Sequence, residues 1–462
     1  MKNMTPEILA HVLGVSCQGS SGRQTEITSV VTDSRKVEKG SLFIAIKGER
    51  TDGNRYIHSC YEKGALCCIS QVSAQENGVT PEEGCYIQVP DIYAAIQHIA
   101  KYYREQCDIK VVGITGSVGK TSTKEMIASV LSTKYNTVKT QGNFNNELGV
   151  PLTLFQIRSE HEIAVVEMGI SDFGEMTRLA NMVMPDVMVI TNIGCCHLEH
   201  LGDRDGVLKA KTESFLFVKK DGTIIVNGED DKLRMLPQIY PERAPVYYGI
   251  SGENAWSAGS MENLGLEGSL VTITGQDSAF EVQVPLPGKH MVSNALAAAA
   301  VGHVFGLSDA QIAEGITALK ETEGRGHVIR TRHFTVLDDC YNANPNSMRA
   351  GLDILADVEG RRVAVMGDMG ELGSGSNEYH YEIGEYAATR GIELIVAIGS
   401  LSEHMARGAA DAGAKQVLHY DTIEDAQAEL PGYLEDGDAV FVKASHSMEF
   451  TKVVEWLQTV EK

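Results

Sequence analysis

The sequence predicts an α/β protein of three domains, and three observations support that prediction. A chain of 462 residues is longer than one hydrophobic core usually serves. The apolar run Lys110–Thr115 leads into a glycine turn and then into a helical pattern, which indicates a βα unit. A second series of alternating strand and helix patterns begins near Arg325. We therefore predict a small α/β domain over residues 1–88, a central parallel-sheet domain over 89–322 and a Rossmann-like C-terminal domain over 323–462.

The composition is that of an ordinary globular protein without nucleic-acid partners. Hydrophobic residues make up 43% of the chain and charged residues 22%, and no apolar run approaches the roughly 18 residues that span a bilayer. The formal net charge of −22 argues against binding to a nucleic-acid backbone, which requires a basic surface. The first residues lack the apolar core of a signal peptide, and the nine cysteines form no Cys-x-x-Cys pair. We therefore expect a cytoplasmic monomer with reduced thiols and no membrane span.

Two apolar runs of the central domain end in polar residues. Ile163–Val166 is followed by Glu167, and Val187–Ile190 is followed by Thr191 and Asn192. In an open parallel sheet, ligands bind beyond the carboxyl ends of the strands. The polar residues at these two strand ends are therefore expected to face a binding site.

Further segments complete the predicted secondary structure. In the central domain, the β-rich stretch Thr223–Val284 is expected to decorate the sheet, and an alanine-rich helix, Val292–Phe305, follows it. The strands predicted in the first and C-terminal domains are Ser41–Ile46, Leu66–Gln71, Thr335–Leu337, Arg362–Met366, Leu394–Ile398 and Ala439–Val442.

The turn after Lys110–Thr115 has the composition of a phosphate-binding loop. It reads Gly116-Ser117-Val118-Gly119-Lys120-Thr121, and its glycines allow backbone amides to turn towards phosphate oxygens at the start of a helix. Lys120 can reach the terminal phosphates of a nucleotide, and the Thr121 hydroxyl can ligate Mg²⁺. The strict motif has glycine at the position of Ile114, so a fortuitous glycine turn is the alternative explanation.

This loop and several other segments resemble the Mur ligase family. Thr115–Ser122 is similar to the shorter phosphate loop of that family. The other similar segments, which extend over most of the chain, are Asp33–Arg35, Gly40–Ala45, Gly48–Gly53, Gly142–Asn146, Gly149–Pro151, Glu167–Gly169, Asn192–Glu199, Asp338–Pro345, Gly367–Gly373 and His380. Among these, Asp338–Pro345 resembles the family member that adds D-alanyl-D-alanine to UDP-N-acetylmuramoyl-tripeptide.

The resemblance implies an ATP-dependent amide ligase of peptidoglycan synthesis. In such an enzyme, ATP phosphorylates the peptide carboxylate, and the amine of D-alanyl-D-alanine attacks the resulting acyl phosphate to form the pentapeptide precursor. Phosphoryl transfer depends on positioning and on charge neutralisation, so two Mg²⁺ sites are implied beside the phosphate loop. The resemblance also implies that the first domain binds the UDP-muramoyl substrate, the central domain binds ATP and the C-terminal domain binds the acceptor dipeptide.

Roles for individual residues follow from the same resemblance. The residues implied in catalysis are Lys120, Glu167, His197 and Lys211, the last in the place of a lysine that related ligases carbamylate with CO₂. The implied metal ligands are Thr121, Glu167, His197 and carbamylated Lys211. The implied ATP-binding residues are Gly116, Ser117, Val118, Gly119, Lys120, Thr121, Ser122, Asn294, Arg325 and Tyr341. The implied substrate-binding residues are Ser34, Arg35, Gly48, Asp52, Asn143, Asn145, Asn146, Asp339, Asn342, Asn344, Lys443 and Ser445.

Several of these motifs have competing explanations. Glu167 alone is also compatible with a solvated carboxylate, and His197 alone with a packed core residue. The cysteine and histidine cluster at 195–200 suggests zinc, but its spacing does not match common zinc sites. Gly367–Gly373 contains three glycines, but their spacing is wrong for a dinucleotide-binding fingerprint.

One segment departs from the family pattern, and two rival functions stay open. The family often has Lys-Gly-Ser-Arg near the C-terminus, whereas this chain has Lys443-Ala444-Ser445-His446. Histidine weakens a bidentate carboxylate contact, so no role is assigned to His446. The rivals are a sister ligase that adds an amino acid to a muramoyl or folate substrate, and a nucleotide switch that hydrolyses ATP without forming a bond. The UDP-type segments count against folate, and Asn342–Pro345 counts against the sister ligases.

Overall fold

The structure is a computed structural model that describes residues 1–19, 22–48, 51–80 and 82–460. Within those ranges, the strands form three sheets of five, nine and six strands, in that order along the chain. The same ranges contain no helix that is long and apolar enough to cross a membrane. The predicted α/β class with three sheet-centred domains is confirmed.

The first sheet is mostly parallel and is buried on both faces. Its elements are β1 (Cys17–Gln18), β2 (Val30–Val31), β3 (Leu42–Ile44), β4 (Cys67–Ser70) and β5 (Cys85–Gln88), with helices α1 (Pro6–Val12) and α2 (Ile57–Glu62). The strand order is β1-β5-β4-β3-β2; β1 pairs antiparallel with β5, and the other pairs are parallel. Every residue of β3 and β4 is buried, which explains why these two strands appear in the sequence as continuous apolar runs.

Helix α3 (Ile92–Gln106) connects the first sheet to the central sheet. The carboxylate of Asp91 caps it by accepting hydrogen bonds from the amides of Tyr93 and Ala94 at 2.9 and 3.1 Å. One face of α3 packs against α1, and the helix also contacts helices of the central domain, so the two domains share a continuous hydrophobic core. The boundary proposed near residue 88 therefore separates domains that are packed together.

The central sheet carries the phosphate loop on β6, the third strand from one edge. Its strands are β6 (Lys110–Thr115), β7 (Thr137–Lys139), β8 (Ile163–Glu167), β9 (Val187–Ile190), β10 (Thr223–Asn227), β11 (Val246–Gly249), β12 (Trp256–Asn263), β13 (Ser269–Thr274) and β14 (Ala279–Val284). They lie in the order β14-β13-β12-β11-β10-β9-β6-β8-β7. The β-rich stretch 223–284 extends this sheet and does not merely decorate it, because β10, β11 and β12 continue the parallel pairing of β9.

Helices cover both faces of the central sheet. They are α4 (Lys120–Leu131), α5 (Gly149–Leu154), α6 (Glu175–Val183), α7 (Leu198–Leu201), α8 (Arg204–Thr212), α9 (Leu236–Ile239), α10 (Lys289–Val304) and α11 (Asp309–Thr317). The alanine-rich helix α10 is buried over most of its length and packs against α4, because its small side chains allow close approach. This packing brings Asn294 of α10 beside the helix that follows the phosphate loop.

The C-terminal sheet has the parallel order of a doubly wound domain. Its strands are β15 (His327–Arg330), β16 (Thr335–Asp338), β17 (Arg362–Gly367), β18 (Leu394–Ile398), β19 (Gln416–Tyr420) and β20 (Ala439–Lys443). Its helices are α12 (Pro345–Ala356), α13 (Ser376–Thr389), α14 (Ser402–Asp411), α15 (Ile423–Glu429) and α16 (Thr451–Leu457). The order is β15-β16-β20-β17-β18-β19, with β15 antiparallel to β16. The four predicted strands are confirmed, whereas the two edge strands were not predicted because they are half-buried and lack a continuous apolar run.

Candidate active site

A large cleft lies between the central and C-terminal domains. Its volume is about 1070 Å³, and it is lined by the phosphate loop, by the carboxyl ends of β8 and β9, and by the loop after β16. This is the position expected for a ligand of an open parallel sheet. The predicted site residues that line it are Ser117, Val118, Gly119, Lys120, Thr121, Ser122, Asn145, Asn146, Glu167, His197, Asn294, Arg325, Asp339, Tyr341, Asn342, Asn344 and Lys443.

The phosphate loop joins β6 to α4 through two glycines with positive φ. Gly116 has φ +150° and Gly119 has φ +81°. A Cβ atom on Gly116 would lie 1.9 Å from Thr191 Oγ1, so the close approach of the loop to β9 requires glycine. The amide of Val118 donates to Asn192 Oδ1 at 2.9 Å, which ties the loop to the end of β9. Helix α4 has no side-chain cap, so its first amides are available to an anion.

Glu167 and Thr121 meet at the carboxyl end of β8. The Glu167 side chain is 1% exposed, and its Oε2 accepts a hydrogen bond from the Thr121 hydroxyl at 2.8 Å. The other carboxylate oxygen, Oε1, accepts a hydrogen bond from the side-chain amide of Asn145 at 2.7 Å. This burial excludes the alternative in which Glu167 is a solvated surface carboxylate. Hydroxyl and carboxylate oxygens are ligands that Mg²⁺ prefers, so the chemistry of the pair fits that ion.

His197 is partly buried, and its backbone has a conformation that is uncommon outside glycine. Its φ is +52°, and its Nδ1 lies 2.6 Å from Oε2 of Glu371 in the C-terminal domain. This nitrogen is shielded from solvent, and the Glu371 carboxylate is its close polar neighbour, although the geometry of the pair is not that of a regular hydrogen bond. Burial lowers the pKa of His197; Glu371 opposes this shift, whereas the charges of Lys211 and Lys120 reinforce it. A neutral imidazole is the form of histidine that ligates metals.

Two lysines near His197 lack an anionic partner. Lys211 is 1% exposed, and its ammonium forms no hydrogen bond or ion pair with any residue that the structure describes. Burial lowers the pKa of Lys211 to about 8; the neighbouring Cys196 opposes this shift, and the charge of Lys120 adds to it. Lys120 donates to carbonyl groups of its own loop, at 2.9 Å to Gly116 and 3.3 Å to Ser117. The electrostatics of this region therefore favour an anionic ligand or an anionic modification.

Asn294, Arg325 and Tyr341 contribute to other parts of the cleft wall. Asn294 Oδ1 accepts a hydrogen bond from the Thr123 hydroxyl at 2.8 Å, which holds the side chain beside α4. The guanidinium carbon of Arg325 lies 4.1 Å from the ring centroid of Tyr341, a cation–π contact. The Asp338 carboxylate accepts a hydrogen bond at 3.0 Å from the amide that precedes Arg325. Arginine and tyrosine side chains provide flat surfaces on which a nucleotide base can stack.

Lys443 organises the loop after β16. It is 2% exposed, and its ammonium donates to the carbonyls of Asp339 and Asn342 at 3.1 and 2.9 Å and also to the Asp339 carboxylate. Asn344 caps α12 by accepting a hydrogen bond from the Ser347 amide at 3.0 Å. Lys443 and Asn344 therefore have structural contacts that fix the loop, whereas the Asn342 side chain is exposed to the cleft.

The remaining predicted site residues do not line this cleft. They are Ser34, Arg35, Gly48, Asp52, Gly116, Asn143, Lys211 and Ser445. Ser445 Oγ accepts a hydrogen bond from the Gly370 amide at 2.7 Å and so supports the loop after β17. Ser34, Arg35, Gly48 and Asp52 all belong to the first domain, and Glu49 and Arg50 of the adjoining motif lie outside the described residues. The substrate roles of these residues stay predictions.

The sequence analysis did not single out several residues that line the cleft. Asn227 and Glu229 lie at and just beyond the end of β10, so the strand-end rule that identified Glu167 would also have identified them. Glu147 lies in a connecting loop and His290 at the start of α10, where no sequence pattern distinguishes a cleft residue from a surface residue.

Comparison with known sequences matches three successive segments of the chain to one family. The Mur ligase family catalytic domain matches residues 26–105, the Mur ligase middle domain matches 114–302, and the Mur ligase glutamate ligase domain matches 324–446. This chain belongs to the Mur ligase family. One relative, the UDP-N-acetylmuramoyl-tripeptide–D-alanyl-D-alanine ligase of Bacillus subtilis (strain 168), is 37% identical over 435 residues, which are 93% of this chain and 93% of that protein.

Solved structures of Mur ligases have the same architecture as this chain. A crystal structure of MurF from Acinetobacter baumannii is 32% identical, with a TM-score of 0.89, and covers 99% of each chain. MurF ligase from Thermotoga maritima, solved in complex with ADP, is 26% identical, with a TM-score of 0.81, over 93% of this chain and 97% of that chain. The similarity to Mur ligases therefore extends through all three domains.

Proposed function

We propose that this Mur ligase joins D-alanyl-D-alanine to the C-terminal carboxylate of UDP-N-acetylmuramoyl-tripeptide while ATP is converted to ADP and phosphate. The observation that carries the proposal is that the loop 339–344 lies in the same cleft as the phosphate loop. The Bacillus subtilis relative, similar over nearly its whole length, is named for this reaction. A nucleotide switch would not need a second loop in the cleft that can hold an acceptor.

The reaction needs an activated carboxylate, since a free carboxylate is a poor electrophile. Transfer of the γ-phosphoryl group of ATP to a carboxylate oxygen creates an acyl phosphate. The acceptor amine then attacks the acyl carbon, a proton leaves the nitrogen, and phosphate departs as the amide forms. Lys120 and the N-terminus of α4 stabilise the charge that spreads over the phosphoryl oxygens during transfer.

The residues beside the phosphate loop fit two Mg²⁺ ions. Thr121 would hold one ion, and Glu167 with His197 would hold the second. The adjacent oxygens of Thr121 and Glu167 and the place of His197 in the same cleft support this assignment. When bound, Mg²⁺ supplies positive charge that neutralises phosphate oxygens and orients them towards the substrate carboxylate.

We also assign a carbamate to Lys211. Its neutral amine attacks the carbon of CO₂, a proton leaves the nitrogen, and a cationic side chain becomes an anionic one. The supporting observations are its burial, its lowered pKa of about 8 and the absence of an anionic partner within the described residues. A carbamate would remove the repulsion from Lys120 and could ligate Mg²⁺.

The three domains divide the substrates between them. The first domain, up to residue 88, binds the UDP-muramoyl donor through Ser34, Arg35, Gly48 and Asp52. The domain over 89–322 binds ATP, with Asn143, Asn145 and Asn146 on the donor peptide. The domain over 323–462 binds the acceptor, where Asn342 can both donate and accept hydrogen bonds to a dipeptide backbone. Asp339 and Asn344, with Lys443 and Ser445, hold the loops around the acceptor.

An acceptor panel tests the proposed reaction. Purified enzyme with ATP and UDP-N-acetylmuramoyl-tripeptide should couple D-alanyl-D-alanine, couple L-alanyl-L-alanine far more weakly, and couple free D-glutamate or L-lysine to no measurable extent. Mass spectrometry of the product identifies the bond that is formed. Asn342→Ala should impair amide formation more than ADP binding. Preferential coupling of a single amino acid to a shorter precursor would replace this proposal with the sister-ligase function.

A further inference from the structure

Lys124 is a buried lysine one helical turn beyond Lys120 in the phosphate-loop helix. Its side chain is 0% exposed, although lysine is rarely found fully buried unless its charge is paired. The ammonium donates to the carbonyl of Thr140 at 2.8 Å and to the carbonyl of Gly142 at 3.2 Å. Lys124 therefore contacts the start of the loop 140–146, which carries the predicted substrate residues Asn143, Asn145 and Asn146.

Two carboxylates accompany the same ammonium. Glu125 Oε1 lies 3.1 Å from it, and Glu167 Oε2 lies 3.9 Å from it. Glu125 also forms an ion pair with Lys139, which is 37% exposed. The cluster thus has two positive and two negative groups, and this balance offsets the cost of burying charge beside the phosphate loop.

The loop 140–146 is bonded to Glu167 at two further points. The Glu167 amide donates to the Thr140 hydroxyl at 3.0 Å, and the Asn145 side-chain amide donates to Glu167 Oε1 at 2.7 Å. Lys124 contacts both partners, since it bonds to the loop and lies close to the carboxylate. Removal of the ammonium would leave two carbonyls of the loop without this donor and the buried Glu167 without its nearest cation.

An apolar side chain would suit a purely structural role at this position. The neighbouring helix residues Met126, Ile127, Val130 and Leu131 are all buried apolar residues. An amine in such surroundings costs desolvation free energy unless its charge and its three donors are used. Here the Lys124 ammonium donates to the loop 140–146 and lies near the Glu167 carboxylate. Its contacts are therefore with groups that belong to the catalytic cleft.

We propose that Lys124 is a positioning residue for the ligase reaction, and that it fixes the loop 140–146 and the Glu167 carboxylate in register with the phosphate loop. This inference rests on the proposed function, because it assigns the loop to the donor substrate. The ammonium of Lys124 makes no hydrogen bond to the phosphate loop within the described residues. Its removal should therefore affect the donor substrate and turnover much more than it affects nucleotide binding.

Hydrogen–deuterium exchange and steady-state kinetics on the full chain test this role. In Lys124→Met, which keeps an unbranched side chain as far as Cε but removes the ammonium, the amides of 140–146 should exchange about tenfold faster or more. The KM for UDP-N-acetylmuramoyl-tripeptide should rise and kcat should fall, each by about tenfold or more, while the Kd of ADP changes by less than about threefold. A merely structural lysine would not produce this split between donor substrate and nucleotide.

Lys139→Met is the matched control. It removes the other cation that pairs with Glu125, but Lys139 is partly exposed and makes no ion pair with Glu167 among the described residues. We expect exchange and kinetics like those of the wild type. Wild-type turnover in the same assay tests the proposed function itself. If that function is wrong, the wild type will not form the product. If only the role of Lys124 is wrong, the wild type will form the product and the Lys124 variants will behave like it.

If Lys124→Met does not fold, a second variant tests the positioning role of Lys124. Lys124→Gln retains two N–H donors in a shorter, neutral side chain, and we expect the same changes in exchange, KM and kcat with smaller amplitude. Wild-type exchange and kinetics in whichever of the two variants folds would overturn the proposal. Equal losses in ADP affinity and donor KM would also overturn it, because they would indicate general damage to α4.

Discussion

Lys211 is a buried cation beside a second cation, and this arrangement needs a chemical reason. Burial disfavours the charged ammonium, which accounts for its lowered pKa of about 8. Structural lysines that are buried usually have a partner, as Lys443 has in Asp339, whereas the described residues provide none for Lys211. Carbamylation would make the Lys211 side chain anionic and would replace its electrostatic repulsion from Lys120 by attraction.

At the scale of single residues we therefore predict that the activity of the enzyme depends on carbamylation of Lys211 by CO₂. Lys211→Ala should lower kcat by about a hundredfold or more, since removal of groups that only orient a metal's ligands already costs about tenfold to a hundredfold. A small carboxylic acid should restore part of the activity, and ¹³C NMR of wild-type enzyme in ¹³C-bicarbonate should show a carbamate signal. Lys209→Ala is the matched control, because Lys209 lies on the exposed face of the same helix. Full activity of Lys211→Ala without CO₂ would leave it as an ordinary buried lysine.

Residues could be predicted from the sequence where a motif or a strand end fixes their position. Thr121 and Glu167 are examples: a phosphate-loop pattern marks the first, and an apolar run that ends in a carboxylate marks the second. Their contact at 2.8 Å depends on the adjacency of β6 and β8, which are separated along the chain by two helices and another strand. Lys124 could not be predicted, since a lysine in an amphipathic helix is more often solvated than buried.

At the scale of elements, the turn between β6 and α4 depends on glycine for two distinct reasons. Gly116 has a positive φ and also lies against the end of β9, where Thr191 would clash with a Cβ atom. Gly202 has a positive φ of +81°, but a Cβ atom there would have no neighbour within 4 Å among the described residues. A comparison of Gly116 with Gly202 therefore distinguishes the free-energy cost of a side chain in this backbone conformation from the cost of its steric clash.

We predict that Gly116→Ala is far more damaging than Gly202→Ala. Gly202→Ala should cost about 1–2 kcal/mol through its left-handed backbone, with ADP binding and turnover close to those of the wild type. Gly116→Ala adds overpacking, which typically costs about 1–3 kcal/mol, and it should displace the loop from β9. Thermal unfolding and the Kd of ADP, measured on both variants, provide the comparison. Equal effects of the two substitutions would mean that backbone conformation alone explains the need for glycine.

The same distinction explains which elements the sequence predicted. Strands buried on both faces, such as β6 and β18, appear as continuous apolar runs and were predicted with their observed bounds. Edge strands such as β15 have mixed polarity, because one side of each is open to solvent. The extension of the central sheet by β10 to β12 depends on pairing between strands, which a single sequence does not encode locally.

At the scale of the whole molecule, the proposed reaction requires two domains to act on one substrate. Asn294 belongs to the central domain, whereas Arg325 and Tyr341 precede and follow the first strands of the C-terminal sheet. All three line one cleft, so a nucleotide bound there would contact both domains. The domains also contact each other directly: His197 forms an ion-pair contact with Glu371, and the Tyr379 hydroxyl lies 3.7 Å from Cys195 Sγ. The domains are also joined by a hydrogen bond from Asn263 to Asp357, by an ion pair between Arg330 and Glu267, and by Leu266, which packs on the C-terminal core. Most of these contacts are polar, which is typical of interfaces that open and close.

Ligands that bridge the cleft should therefore stabilise the closed arrangement of the domains. A ligand shifts such an equilibrium only by its differential affinity for the two states, and contacts to both domains exist only when the cleft is closed. Closure also has a chemical purpose, because water that reached an acyl phosphate would hydrolyse it. Small-angle scattering should show a smaller radius of gyration with ADP and UDP-N-acetylmuramoyl-tripeptide than without ligands. Glu371→Ala, which removes an interdomain contact, should enlarge the ligand-free protein, whereas Glu385→Ala on the exposed surface of α13 should not. A radius that does not change under saturating ligands would show that the active site is preformed, and the reaction would then need another means of excluding water.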